Sequence, residues 1–453
     1  MSIRAISPID GRYHKRSTPL NNYFSEYALM KYRVIVEIAW LKHLAKQDDL
    51  AEIRALTDDE LSILQGIIEG FDDDSAKAIK AIERTTNHDV KAVEYYIKQE
   101  LGETSLADVS EFVHFACTSE DINNLAYAMM VRDGLMDVWL QDAHELVATV
   151  AEKAELHRDV AILAHTHGQA ASPTTMGKEL AVYVYRWQRQ LTQLENQDYL
   201  GKFSGAVGAF NAHLSAYPDA DWVHIARTFV ESFGLEFNPL TTQIEAHDYL
   251  AETFHSVMRF NSILLDFCRD MWAYISMGYF KQRVVAGEVG SSTMPHKVNP
   301  IDFENAEANV GISNSILGHL ADKLMVSRLQ RDLSDSSALR NIGVGIAHSH
   351  LALLSAQKGV SKVDINQQAI SQDLDDAWEV LAEPIQTVLR KAGYPNPYEK
   401  LKELTRGASI NRDDLQAYIA DLLIAEADKQ RLQAMTPASY IGLADELVDF
   451  IGE

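Results

Sequence analysis

The chain of 453 residues is poor in cysteine, proline and glycine, with 2, 11 and 23 residues of each. Globular proteins contain about 5% proline and about 7% glycine, so this scarcity argues against a turn-dense all-β fold and against collagen-like or low-complexity sequence. The two cysteines, Cys117 and Cys268, lie far apart in apolar, helical-looking sequence without metal-ligating neighbours. We therefore predict two structural thiols in a reducing compartment.

Basic side chains are also scarce, since 41 Lys and Arg oppose 65 Asp and Glu, a formal charge of −24. Nucleic acids and anionic membranes bind basic surfaces, so neither is an expected partner. Met1 to Asp10 lacks a basic segment followed by an apolar one, and no apolar run approaches the roughly 18 residues of a membrane span. The predicted location is the cytoplasm.

Proline is absent from residues 20–172 and 301–383, so long helices can run there unbroken. Between Leu250 and Ile275, eight positions follow alternating steps of four and three, and seven of them are apolar. This repeat is typical of a helix packed at a shallow angle in a bundle. Apolar residues on its other faces indicate a large bundle or an oligomer interface. Alternation of the β type is weak throughout, and the predicted fold class is mainly α.

Shifts in composition predict three helical domains. Residues 1–110 form an N-terminal helical domain. Residues 111–365 form a central domain of long bundle helices. Residues 366–453 are more polar and form a small C-terminal helical domain.

The least helical segment, residues 287–300, contains two glycines, two serines, a threonine and two prolines and is predicted to be a loop. It ends with Asn299 as a helix N-cap and Pro300 at the first helical position, followed by acidic residues in the first turn. Lys297 and the positive end of this helix suit a carboxylate and developing negative charge. The alternative is a loop that only joins and caps helices.

A second loop, residues 164–169, places His165 and His167 two residues apart. Two histidines can be zinc ligands, but no cysteine or local acid completes a set. A single histidine acting as an acid or a base is favoured, because it titrates near neutral pH.

Two further polar segments lie next to apolar, helical sequence. In residues 84–89, His88 stands between an amide and a carboxylate before a helix. Asn87 or Asp89 could instead cap that helix. Residues 118–124 form a polar island that is typical of a capping turn.

Basic residues cluster in residues 1–20 and again in 328–340, where three arginines bracket the hydroxyl-rich segment 334–337. Arginine with serine suits the binding of a carboxylate or a phosphate. A solvated surface with local ion pairs is the alternative. Neither the phosphate-binding nor the dinucleotide-binding glycine motif is present, and the short pattern Gly205-Ala-Val-Gly208 indicates no function by itself.

The segment Gly290-Ser-Ser-Thr-Met-Pro-His-Lys-Val-Asn-Pro300 resembles the motif Gly-Ser-Ser-x-Met-Pro-x-Lys-x-Asn-Pro of the fumarase/aspartase superfamily. Other segments resemble the adenylosuccinate lyase branch of that superfamily, in its longer bacterial form. They occur in the same order over essentially the whole chain. These segments are 11–13, 86–89, 118–121, 166–169 and 331–340.

The resemblance implies elimination of fumarate from adenylosuccinate, giving AMP, and from the succinyl-carboxamide ribotide of purine biosynthesis. It implies no cofactor and no metal, and a small anionic nucleotide as the substrate. It also implies a homotetramer in which long helices of four subunits form one core and loops of three subunits form each active site. The alternatives are another fumarate-releasing lyase (argininosuccinate lyase, aspartase or fumarase) and an inactive helical scaffold.

The resemblance also implies residue roles. Ser291 is the general base that forms an aci-carboxylate carbanion, His167 is the general acid, and Glu304 orients His167. Lys297 and His88 complete the implied catalytic set. The residues implied in substrate binding are Arg12, Tyr13, Asn87, His88, Asp89, Thr118, Ser119, Gln243, Met294, Lys297, Asn299, Arg331, Ser336 and Arg340. Many relatives have arginine where this chain has His165, which puts a secondary interaction in doubt.

Overall fold

The computed structural model describes residues 3–283, 293–294, 297–405 and 410–452. The prediction of a mainly α fold is confirmed. The α-helices of the described residues are α1 (His14–Ser17), α2 (Asn21–Phe24), α3 (Glu26–Leu44), α4 (Asp58–Glu69), α5 (Asp73–Thr86), α6 (Asp89–Leu101), α7 (Ser119–Gly134), α8 (Leu140–Leu156), α9 (Met176–Glu195), α10 (Asn211–Ala216), α11 (Trp222–Glu231), α12 (Asp248–Ser276), α13 (Ile301–Leu324), α14 (Ser334–Leu339), α15 (Ile342–Ser361), α16 (Gln367–Asp375), α17 (Ala382–Lys391), α18 (Pro397–Thr405), α19 (Arg412–Ala420) and α20 (Glu426–Ala434). A π-helical turn, Leu135–Trp139, links α7 directly to α8.

The strands of the described residues are two or three residues long and form isolated pairs. Antiparallel pairs join β1 to β4, β2 to β3 and β7 to β8, and a parallel pair joins β5 to β6. The strands are β1 (Ala161–Ile162), β2 (His165–Thr166), β3 (Gln169–Ala170), β4 (Thr174–Thr175), β5 (Leu200–Gly201), β6 (Glu236–Phe237), β7 (Phe280–Gln282) and β8 (Val363–Ile365).

The chain divides into two compact units, each built from three segments. The first unit is Met1–Ala143, Gln190–Ser262 and Ala308–Ala352, and the second unit is His144–Arg189, Ile263–Glu307 and Leu353–Glu453. The division into three domains at residues 110 and 365 stays a prediction.

Helix α12 has the repeat that the sequence predicted. Its apolar seam, from Leu250 through Phe254 and Leu264 to Met271, is buried. Burying a leucine or phenylalanine side chain contributes about 1.5–3 kcal/mol, so the seam fixes the rotation of the helix. On another face Trp272 remains 46% exposed.

Each unit has its own apolar core. In the first unit, α3, α4, α5 and α6 pack around Val34, Leu41, Leu64, Val93 and Ile97. In the second unit, the C-terminal helices pack around a second group of buried residues that includes Leu389 and Leu415. Among the described residues, no helix is both long and apolar enough to cross a membrane.

Candidate active site

The N-terminal end of α7 contains two buried carboxylates. The backbone N–H of Thr118 donates to Oδ2 of Asp121 at 2.8 Å, so the capping turn predicted for this segment is present. Residues 120–131 are all buried, which places Glu120 and Asp121 in the interior. A buried carboxylate needs a charged or hydrogen-bonding partner. Ser119 is the first helical residue and is partly buried.

Lys202 is the partner of Asp121. Its Nζ lies 2.7 Å from Oδ1, and both side chains are fully buried. The same carboxylate accepts the backbone N–H groups of Ser204 at 2.9 Å and Gly205 at 3.1 Å. Lys202 Nζ also donates to the Gly205 carbonyl at 3.2 Å. The pair therefore joins the start of α7 to the loop of residues 204–208.

This loop contains the two glycines to which the sequence assigned no function. Gly205 and Gly208 have φ values of +80° and +77°. A Cβ on Gly208 would lie 2.3 Å from the carbonyl oxygen of Thr241, so glycine is required for the loop to pack there. Gln243, two residues further, donates through Nε2 to a carbonyl of the loop at 3.0 Å. The loop thus supports an expected binding residue.

Arg331 lies between two carboxylates. Its Nη2 is 2.9 Å from Glu120 and 3.4 Å from Asp335, and its Nη1 donates to Oε1 of Gln243 at 3.3 Å. Burial raises the pKa of Glu120, and the positive charge of Arg331 opposes this rise. Two expected binding residues, Gln243 and Arg331, are therefore joined directly. Glu120 is a partner that the sequence placed only in a capping turn.

The Asp89 carboxylate forms ion pairs with two arginines. Its Oδ2 accepts from Nη2 of Arg33 at 2.8 Å and from Nη2 of Arg340 at 3.0 Å. Nη1 of Arg340 donates to Glu26 at 3.0 Å. Burial by itself raises the pKa of Asp89, but Arg33 and Arg340 outweigh burial and hold the pKa below its usual value. Arg33 and Glu26 are contacts that sequence reasoning missed.

His88 is the residue that caps α6. Its Nδ1 accepts the backbone N–H of Lys91 at 3.2 Å, and its side chain is about half exposed. The N-cap is therefore His88 and not Asn87 or Asp89. Asn87 closes the preceding helix with a φ of +51°. Asp89 is the first residue of α6, and its Oδ1 accepts the backbone N–H of Val90 at 2.9 Å while its Oδ2 faces the two arginines.

Three other binding residues expected in the first unit are Arg12, which is exposed, and Tyr13 and Ser336, which are partly buried. The Arg12 guanidinium lies over the Tyr13 ring, 5.9 Å from its centroid. A hydrogen bond from Ser17 Oγ to the Ile9 carbonyl, at 3.0 Å, supports this N-terminal segment. Ser336 lies in α14, one helical turn before Arg340.

In the second unit, His167 lies at the tip of a hairpin. The β2–β3 pairing leaves His167 and Gly168 as a two-residue turn, with φ values of +56° and +73°. Positive φ at both positions is the requirement of a type I′ turn. Residues 165–170 are all exposed, so the hairpin presents the His167 ring to its surroundings. The loop that the sequence predicted here therefore contains a short hairpin.

The second unit also contains the segment that leads into α13. Helix α13 begins at Ile301, one residue later than predicted, because the Pro300 carbonyl accepts the backbone N–H of Glu304 at 3.3 Å. The Glu304 carboxylate accepts from Trp272 Nε1 at 3.2 Å. Lys297 is exposed, and its backbone N–H donates to the Met294 carbonyl at 3.0 Å.

Asn299 is partly buried, and its role as the N-cap of α13 stays a prediction. Ser291 lies outside the described residues. No group of three metal-ligating side chains occurs in the described part of the chain.

Comparison with known protein families gives two matches. Residues 11–318 match a family described as lyase, and residues 327–441 match the C-terminal region of adenylosuccinate lyase. The chain is 52% identical over 449 residues to the adenylosuccinate lyase of Haemophilus influenzae and 53% identical to that of Escherichia coli. Each alignment covers 99% of this chain and 98% of the relative.

Solved structures support the same fold. A fumarate lyase from Mesorhizobium superposes with a TM-score of 0.77 at 18% identity, covering 95% of this chain and 96% of that protein. A 3-carboxy-cis,cis-muconate lactonizing enzyme from Pseudomonas putida gives a TM-score of 0.72 at 21% identity, covering 95% of each chain. The full-length similarity to the curated relatives shows that the chain belongs to the adenylosuccinate lyase family.

Proposed function

We propose that this chain eliminates fumarate from adenylosuccinate to give AMP, and from the succinyl-carboxamide ribotide in the same way. The observation that carries this proposal is the identity of about one half, over 99% of the chain, to enzymes with that name. The grouping of arginines around Asp89 and Glu120 supports it, because a nucleotide with a phosphate and two carboxylates needs several cationic contacts.

The reaction needs a base, stabilisation of negative charge and an acid. Ser291 removes the proton beside one carboxylate, Lys297 and Asn299 stabilise the aci-carboxylate, and His167 protonates the departing nitrogen. A serine is a weak base in water, so the site has to exclude solvent before Ser291 acts. His88 also takes part in the reaction. It caps α6 through Nδ1, which accepts the backbone N–H of Lys91, and its other ring nitrogen, Nε2, can contact the substrate.

Different binding residues contact different parts of the substrate. Arg340, with Arg12, Tyr13 and Ser336, holds the phosphate end. Arg331 binds the succinyl part, and further contacts come from Asn87, His88, Asp89, Thr118, Ser119, Gln243 and Met294. The hydrogen bond from Arg331 to Gln243 supports this assignment, because it places two of the proposed binding residues next to each other.

We also infer a homotetramer with active sites shared between subunits. His167 is exposed on its hairpin, and no hydrogen bond joins it to Glu304 in the described part of the chain. A general acid has to be held by a partner if it is to deliver its proton at a fixed position. Exposed apolar residues on the long helices, such as Tyr185 at 60% and Trp272 at 46%, favour contacts with other copies.

The test is to mix the purified chain with adenylosuccinate and follow the ultraviolet change as AMP forms. Turnover is expected without any added metal or cofactor. Absence of turnover with adenylosuccinate, together with turnover of argininosuccinate or aspartate, would refute the proposed substrate.

A further inference from the structure

We propose that Arg33 is a positioning residue that fixes the binding arginines Arg331 and Arg340 relative to each other. The proposal rests on the function proposed above. Arg33 lies in the middle of α3, and its side chain is only 4% exposed. It is therefore too deeply buried to be a surface contact for a ligand.

One nitrogen of the Arg33 guanidinium, Nη2, is directed to the phosphate end of the site. Nη2 donates to Oδ2 of Asp89 at 2.8 Å, and the same oxygen accepts from Arg340 at 3.0 Å. One carboxylate oxygen thus sits between two guanidinium groups. Any displacement of Arg33 changes the position in which Asp89 holds Arg340.

A second nitrogen, Nε, is directed to the succinyl end. Arg33 Nε donates to Oδ1 of Asn123 at 2.9 Å, and Nδ2 of Asn123 donates to Glu120 Oε1 at 2.7 Å. That oxygen also lies 2.9 Å from Nη2 of Arg331. A continuous path of short polar contacts therefore runs from Arg340 through Asp89, Arg33, Asn123 and Glu120 to Arg331.

Arginine is the side chain that this junction requires. Its planar guanidinium donates in two fixed directions, whereas the lysine ammonium is a single point of charge. Its positive charge also lies beside two carboxylates, Asp89 and Glu120, and both lie in largely buried surroundings. Residues that orient metal ligands through hydrogen bonds typically change affinity or activity by about 10–100-fold when they are replaced, and we expect an effect of similar size for Arg33.

The experiment compares the wild-type chain with Arg33→Lys, using adenylosuccinate as the substrate. We expect KM to rise by about tenfold or more, with a smaller change in kcat, because both anion contacts lose their alignment. In the Arg340→Lys background, Arg33→Lys should add much less to KM than it does alone, because the path is already broken. A residue that only stabilises the fold would give additive effects.

Arg54→Lys is the matched control. Arg54 also holds two carboxylates, Glu60 and Asp108, in the first unit but outside this path. We expect its KM to equal that of the wild type. If Arg33→Lys fails to fold, Asn123→Ala cuts the path while leaving the pair between Arg33 and Asp89, and KM should again rise.

The outcomes separate the two proposals. A wild-type chain that does not turn over adenylosuccinate would overturn the proposed function and this inference with it. An active wild type whose KM is unchanged by Arg33→Lys, or by Asn123→Ala where the former does not fold, would overturn the role of Arg33 alone. Strictly additive effects of Arg33→Lys and Arg340→Lys would do the same.

Discussion

Replacing Lys202 by methionine should destabilise the chain strongly. Methionine has a similar length and leaves no large cavity, so the main effect is the loss of the positive charge. Asp121 would keep its backbone donors Thr118, Ser204 and Gly205 but would lose the ammonium 2.7 Å away. Breaking a buried ion pair on one side costs about 3–5 kcal/mol, because the remaining charge is not compensated.

The assay is urea unfolding followed by far-ultraviolet circular dichroism, at one fixed protein concentration. Lys77→Met is the matched control, because Lys77 also lies 2.7 Å from an aspartate, Asp74, but at the exposed surface. Ion pairs of that kind contribute little, so the midpoint should not move. The double variant Asp121→Asn with Lys202→Met removes both charges and should regain part of the lost stability.

Enzyme kinetics give a second measurement. The loop that Lys202 anchors supports Gln243, so Lys202→Met should also raise KM for adenylosuccinate. A free energy of unfolding within about 1 kcal/mol of the wild-type value would show that the Asp121 charge is compensated in another way, and would refute the argument from burial.

Three other predictions address catalysis, assembly and acid stability. Ser291→Ala and His167→Ala should each lower turnover by several orders of magnitude while binding of the substrate persists; near-normal turnover in steady-state kinetics would remove the assigned role. A mixture of these two inactive variants should regain activity, and no recovery despite subunit exchange would contradict the shared site. Light scattering should report a tetramer, and a monomer at micromolar concentration would contradict it. Burial lowers the pKa of His213 from 6.5 to about 4, so the folded state resists protonation and loses up to about 3 kcal/mol as the pH falls from 6.5 to 4. His213→Phe should therefore move the acid-unfolding midpoint to lower pH, and an unchanged midpoint would argue against this titration.

The elements that the sequence predicted well are those with local signals. The sequence predicts a helix between residues 250 and 275, and α12 runs from Asp248 to Ser276, because the seven-residue repeat specifies both its length and its buried seam. The sequence also predicts the capping turn at Thr118, since a hydroxyl followed three residues later by an acid is a local pattern. The start of α13 differed by one residue, which is within the usual variation of helix ends.

The partners of the expected binding residues have no local signal in the sequence. Arg33 and Asp89 are 56 residues apart, and Arg340 and Asp89 are 251 residues apart. Sequence spacing alone cannot pair residues at such separations. A usable hint is a single arginine inside an apolar helix such as α3, because a buried charge requires a partner elsewhere in the chain. The same reasoning applies to Lys202, which precedes the glycine loop.

The ion pairs of the first unit qualify the meaning of the net charge of −24. Arg331 faces Glu120 and Asp335, and Arg340 faces Glu26 and Asp89, so neither arginine is an unopposed cation. We expect an anionic substrate to share each arginine with the carboxylate already beside it, so each contact yields less free energy than the charge of arginine alone suggests. What the carboxylates provide is orientation, because a side chain already held in place loses less conformational entropy on binding. In the proposed site, the fixed spacing of these two arginines favours a substrate with anions at both ends over a polyanion without that spacing.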